Sequence, residues 1–148
     1  MKYLLTIIVV VLSTVSASSQ VLRTSFRIMP DSITPYLTAN NRLDMLDFID
    51  SGMKARVTNS FDGTSELLSL TDSVVTLRLS SSLAMTVRLV PAKVLSETYG
   101  MDLSVVSTDS LLCVEKSYGT DSSRKSVTKQ YYSLKWRKID TDKPFLVK

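Results

Sequence analysis

The stretch SVVTLRLSSSLAMTVRLV (Ser73–Val90) decides how this chain folds. Val75, Leu77 and Leu79 alternate with Val74, Thr76 and Arg78, and Met85, Val87 and Leu89 alternate with Thr86 and Arg88. Such period-two patterning, rich in β-branched residues, marks strands with one side on a core and the other in water. The serines Ser80–Ser82 between them read as the connection of an antiparallel pair. Upstream, ELLSL (66–70) supplies a third strand, with Thr71-Asp72-Ser73 as the turn.

A faint repeat extends this reading. LLSLTDSVVTL (67–77) resembles LSVVSTDSLLCV (103–114), and each reads as strand, short polar turn, strand. The second copy continues through GTDSSRKS (119–126) into VTKQYYSLKW (127–136). The pattern predicts two antiparallel meanders of about three strands each, over about 65–137, in one sheet or two. Chance sharing of a common turn tripeptide is the competing explanation.

Ahead of the strands, NNRLDMLDFIDSGM (40–53) carries a helical period. Met45, Leu46, Phe48, Ile49 and Met53 fall on one face, and Asp44, Asp47 and Asp50 cluster on the other. The predicted helix covers about 41–52, capped by Asn40 or Asn41 and ended near Gly52. Two pieces of it imitate active sites. Ile49-Asp50-Ser51-Gly52 resembles an aspartic-protease motif, but it lies on a helix and no facing second copy exists. Ser51-x-x-Lys54 lacks the companion motifs of penicillin-binding enzymes, and Ser122-x-x-Lys125 and Ser126-x-x-Lys129 match equally well. Turning three aspartates inward would bury charges without partners, so they belong to the wet side. The expected fold is therefore α+β, an N-terminal amphipathic helix followed by antiparallel β-meanders in a single domain, residues 18–148.

Residues 1–17 read as a signal peptide. Lys2 is the positive region, Leu4–Leu12 the apolar run, and Val15-Ser16-Ala17 the small-residue cleavage site. The apolar run is short of the roughly 20 residues that span a bilayer. The expected product is exported, periplasmic or extracellular, and not an integral membrane protein after cleavage. A single Cys113 permits no internal disulfide, and its apolar surroundings SLLCVEK predict a buried thiol. The chain contains no histidine, which removes Ser-His-Asp and Cys-His nucleophile pairs. Its four glycines form no Gly-x-Gly cradle, and four zinc ligands from carboxylates and one cysteine would be an improbable set. No cofactor, metal site or catalytic residue is expected.

Charge concentrates late in the chain, which carries a net +4. Residues 111–148 hold nine Lys or Arg against four acids, with Tyr131, Tyr132 and Trp136 among them. Lys129, Lys135, Arg137 and Lys138 are the candidate surface for an anionic ligand, by Coulomb attraction with aromatic support. Export argues against nucleic acid, which leaves an anionic glycan or lipid head group. The competing reading is a solvated face over a core-facing row of Tyr132, Leu134 and Trp136.

MPDSITPYLTANNRLDMLDFIDSGMKARVTN (29–59), ELLSLTDSVVTLRLS (66–80) and DSLLCVEKSYG (109–119) resemble the exported Bacteroidales family catalogued as domain of unknown function 3256. The resemblance implies an envelope location and brings no catalytic or binding residue with it. Members of that family continue further, so the resemblance implies a shortened or altered C-terminus at WRKIDTDKPFLVK (136–148). Two functional readings stand. One is a non-catalytic envelope module that binds an envelope protein or an anionic glycan or lipid. The other is a small carboxylate-dependent hydrolase acting on glycan, which needs two acids roughly 5–10 Å apart in a cleft.

Overall fold

Alternation along residues 73–90 does set two strands, and the rest of the sheet grows from them by nearest-neighbour pairing. A computed structural model describes residues 20–100, 110–119 and 125–141. Its strands are β1 (Ala55–Thr58), β2 (Thr64–Leu70), β3 (Val74–Ser80), β4 (Leu83–Pro91), β5 (Ser110–Tyr118), β6 (Lys125–Tyr132) and β7 (Lys138–Ile139). They form one antiparallel sheet in the order β1-β2-β3-β4-β5-β6-β7, so each strand lies beside its neighbours in sequence. Two meanders are thus joined as one. The predicted first strand of the second repeat (103–106) lies outside the described residues, as do the predicted leader 1–17 and the residues beyond 141.

Turn chemistry fixes the register. Between β2 and β3, Thr71 Oγ accepts from the backbone N–H of Val74 at 3.0 Å and Ser73 at 3.3 Å, which closes the predicted turn. Between β3 and β4, Ser80 Oγ accepts from Ser82 N–H at 3.2 Å. Between β1 and β2, Asn59 does more. Its Oδ1 accepts from Phe61 and Gly63 N–H, and its Nδ2 donates to Ser65 Oγ and to the Leu79 carbonyl. This buried network holds Asp62 at a φ of 63°, a left-handed conformation that non-glycine residues adopt at a cost.

Among the described residues three helices accompany the sheet: α1, helical through residues 20–27, α2 (Ala39–Asp50) and α3 (Lys93–Tyr99). The fold is mixed α+β and mostly β. The predicted caps Asn40 and Asn41 are corrected. Thr38 is the N-cap, its Oγ1 accepting from Asn41 N–H while Asn41 Oδ1 accepts from Thr38 N–H, a reciprocal capping box. Helix α2 ends at Asp50, and Gly52, at a φ of 72°, turns the chain away. Met45 and Leu46 are buried and Phe48 and Ile49 pack against them, as their spacing predicts. Met53 does not join them. It lies beyond the helix end, 59 % exposed.

The two faces of the sheet differ. On one, Val75, Leu77, Met85, Val87, Leu112 and Val114 meet Leu22 and Phe26 of α1 and Met45 and Leu46 of α2. On the other, α3 covers only the β5–β7 end, where Leu95 packs with Leu111, Cys113, Tyr131 and Ile139. The predicted strand through Trp136 is also corrected. Strand β6 stops at Tyr132, and Ser133 Oγ accepts from Lys135 and Arg137 N–H to form a tight turn into β7. Trp136 sits in that turn at a φ of 64°. It is nevertheless buried beside Tyr132, ring centroids 5.5 Å apart, and its indole N–H donates to the Ser25 carbonyl at 2.6 Å.

Candidate functional site

Strand parity decides what the open sheet face shows to water. Residues opposite one another project from the same face, so Arg56, Glu66 and Arg78 share it across β1, β2 and β3. Glu66 Oε2 lies 3.5 Å from Arg56 and 3.8 Å from Arg78. A second triad spans β4, β5 and β6, where Glu115 Oε1 lies 3.9 Å from Arg88 and 3.7 Å from Lys129. The depth of these charges is uneven. The side chains of Glu66 and Glu115 are 15 % and 32 % exposed, whereas the four cations are 41–53 % exposed. Each carboxylate therefore lies beneath two cations. Between the triads runs a hydroxyl row in which Ser69 faces Thr76 and Thr76 faces Thr86.

The four sequence-predicted cations are divided by the fold. Lys129 belongs to the second triad. Lys135 and Arg137 are exposed in the β6–β7 turn. Lys138 pairs with Tyr132 and so projects from the face opposite to Lys129. Lys116, from the same basic stretch, turns inward, and its ammonium donates to the Ile33 carbonyl at 2.8 Å. Burial lowers its pKa. Arg56, Arg78 and Arg88 were not among the sequence candidates. The outward parity of Arg78 and Arg88 was readable, but their acidic partners depend on pairing with β2 and β5.

Elsewhere, a cleft of about 180 Å³ opens between α1 and α2, lined by Arg23, Thr24, Arg27, Asp47 and Asp50 among others. Asp50 is ion-paired with Arg23, so this aspartate faces a neighbouring helix and not bulk water alone. Both carboxylates come from α2, and among the described residues no acid from another element lines the opposite wall. Deeper in, Arg42 is buried, donating to the Leu37 carbonyl at 2.9 Å and the Arg27 carbonyl at 3.4 Å, with Asp31 3.9 Å away. Burial lowers its pKa and Asp31 opposes that shift. Cys113 is buried, as its apolar run predicts, and burial raises the pKa of its thiol. Among the described residues, no group of three or more Cys, Asp or Glu is placed to hold a metal. Nor is any helix among them long and apolar enough to cross a membrane.

With this geometry in place, comparison with known proteins gives a class and then a family. A solved structure described as a domain of an uncharacterized protein from Porphyromonas gingivalis W83 is similar in fold, with a TM-score of 0.59 at 21 % identity. The match covers 82 % of this chain and 56 % of that one, so this chain spans little more than half the neighbour's length. The chain belongs to the family described as "Protein of unknown function (DUF3256)", whose profile matches residues 14–147. No curated protein matches it.

Proposed function

We propose that this chain is an exported, non-catalytic binding module of the bacterial envelope, acting through the open face of its sheet. The observation that carries the reading is the depth ordering of that face, with carboxylates beneath and cations outermost. Paired in this way, Glu66 and Glu115 are occupied as structural counterions and not set as an acid and a base across a cleft. The leader at 1–17 supports export. Asp47 and Asp50 offer the hydrolase alternative little, since a glycosidic bond must be flanked from two sides and they share one helix.

Co-sedimentation of the purified mature chain with isolated cell envelopes, together with N-terminal sequencing of the native protein, tests the reading. The expected results are retention on envelopes and a sequence starting at Ser18. Failure to co-sediment, or release of reducing ends from envelope glycan, would overturn it.

A further inference from the structure

We infer that the cleft between α1 and α2 binds a zwitterionic α-amino acid with a short aliphatic side chain, its carboxylate on Arg27 and its ammonium on Asp47. The site lies on the helix side of the sheet, so the inference stands apart from the binding-module reading of the open face.

The cleft has one closed end and one open end. The two helices run antiparallel there, since Arg23 pairs with Asp50 while the Arg27 carbonyl accepts from Arg42 Nε at 3.4 Å. Arg27 follows Arg23 by four positions and Asp47 precedes Asp50 by three, so each pair shares one face of its helix. At about 1.5 Å per residue, a step of about 6 Å along α1 and about 4.5 Å along α2 leads from the closed pair to Arg27 and Asp47. Both line the cleft and both are exposed. Among the described residues, neither side chain forms an ion pair. Their backbones are nevertheless fixed, Arg27 by the bond from buried Arg42 and Asp47 by its carbonyl, which accepts from Ser51 N–H at 3.1 Å. A cation and an anion are thus held on opposite walls with a gap between them.

One small molecule carrying both charges closes that gap. Its carboxylate can take two parallel bonds from the guanidinium, and its ammonium can donate to the aspartate, each at about 2.7–2.9 Å. A simple anion or cation would satisfy one wall and be repelled by the other. Size sets the rest of the class. The cleft holds about 180 Å³, which at about 30 Å³ each is room for roughly six waters, the scale of one amino acid and too little for a peptide. Leu43, 38 % exposed, and buried Leu46 complete the α2 wall. Covering Leu43 favours an aliphatic side chain over a polar one.

Titration calorimetry of the purified chain with L-valine tests this. The comparison ligands are valinamide, which lacks the carboxylate, N-acetylvaline, which lacks the ammonium, and L-tryptophan, which is too large. The expected result is saturable one-to-one binding of valine with a Kd below about 1 mM, and at least tenfold weaker binding of the other three. Arg27→Gln should weaken valine binding at least tenfold and bring valine and valinamide within twofold of each other. Asp47→Asn should do the same for valine and N-acetylvaline, so that paired changes in ligand and side chain isolate each contact. Lys129→Gln, on the open face, should leave valine binding within twofold. Both cleft side chains are exposed, so neither variant should melt early; if one does, the capped ligands still decide the assignment on the unmodified protein. Absence of saturable binding would overturn it, as would equal affinity for valine and its capped forms, or folded variants that lose all the ligands alike. Retention on envelopes tests the open face separately, and neither result decides the other.

Discussion

One sheet carries two faces with opposite solutions to the same problem. The face under α1 and α2 is filled with Val, Leu and Met and turns its few polar groups, such as Arg42, onto backbone carbonyls. Among the described residues the other is covered only at its β5–β7 end, and the rest of it carries cross-strand charge triads. The first face supplies the stability. Charges on the second can therefore be changed at small cost, which is the freedom a binding surface needs.

The sharpest way to break this contrast is at Trp136. Trp136→Ala removes a buried ring and the bond to Ser25, and should destabilise the protein by about 3–5 kcal/mol in urea titrations. A cost below about 1 kcal/mol would mean that the packed face does not depend on its closing turn. Arg42→Met should cost about 1–3 kcal/mol, because the Leu37 and Arg27 carbonyls lose their donor. Calorimetry that found this variant more stable would show that the carbonyls find water.

Alkaline pH probes the small second core. Burial, with a hydrogen bond to Tyr99, raises the pKa of Tyr131, and burial raises that of Cys113. Groups whose protons are held more tightly when folded leave stability unchanged below their unfolded pKa values. Above these, near pH 8.5 for Cys and 10 for Tyr, the unfolded chain loses its protons first and stability falls. Tyr131→Phe should flatten the upper part of that decline in melting temperatures taken from pH 8 to 11; parallel curves would contradict it. The smallest effect belongs to the open face. Glu66→Gln weakens two exposed ion pairs and should shift stability by at most about 1 kcal/mol, decreasing with added salt.

Much of this architecture was readable from local pattern. Strands β3 and β4, the Thr71 turn, the buried face of α2 and the fate of Cys113 each depend on residues within a few positions of one another. Helix α1 was missed although Leu22, Phe26 and Met29 are spaced for one buried stripe. The seven-residue α3 was missed because Leu95 alone is buried in it, too little to establish a period. Asn40 and Asn41 suggested a cap, but the reciprocal bond lies between Thr38 and Asn41. For the candidate site, counting charge along residues 111–148 could not separate faces. Parity sends Lys129 and Lys138 opposite ways, turns Lys116 inward, and brings in Arg56, Arg78 and Arg88 from distant sequence.

The bonds that tie α1 to the far end of the chain set an order of events in folding. Every strand pair here joins sequence neighbours, so the sheet can form by local closures, the longest being the β4–β5 connection that contains α3. Trp136 Nε1 and Leu134 O reach Ser25 across 111 and 109 residues, and can do so only when the last turn exists. Docking of α1 through these bonds thus waits on the β6–β7 turn, whereas α2 packs on the same face through Met45 and Leu46. Trp136→Ala should accordingly accelerate unfolding and leave the refolding rate nearly unchanged in stopped-flow measurements, the behaviour of a contact formed after the rate-limiting step. A sheet built strand by strand is in this way tied to its first described helix by a contact between residues more than a hundred positions apart.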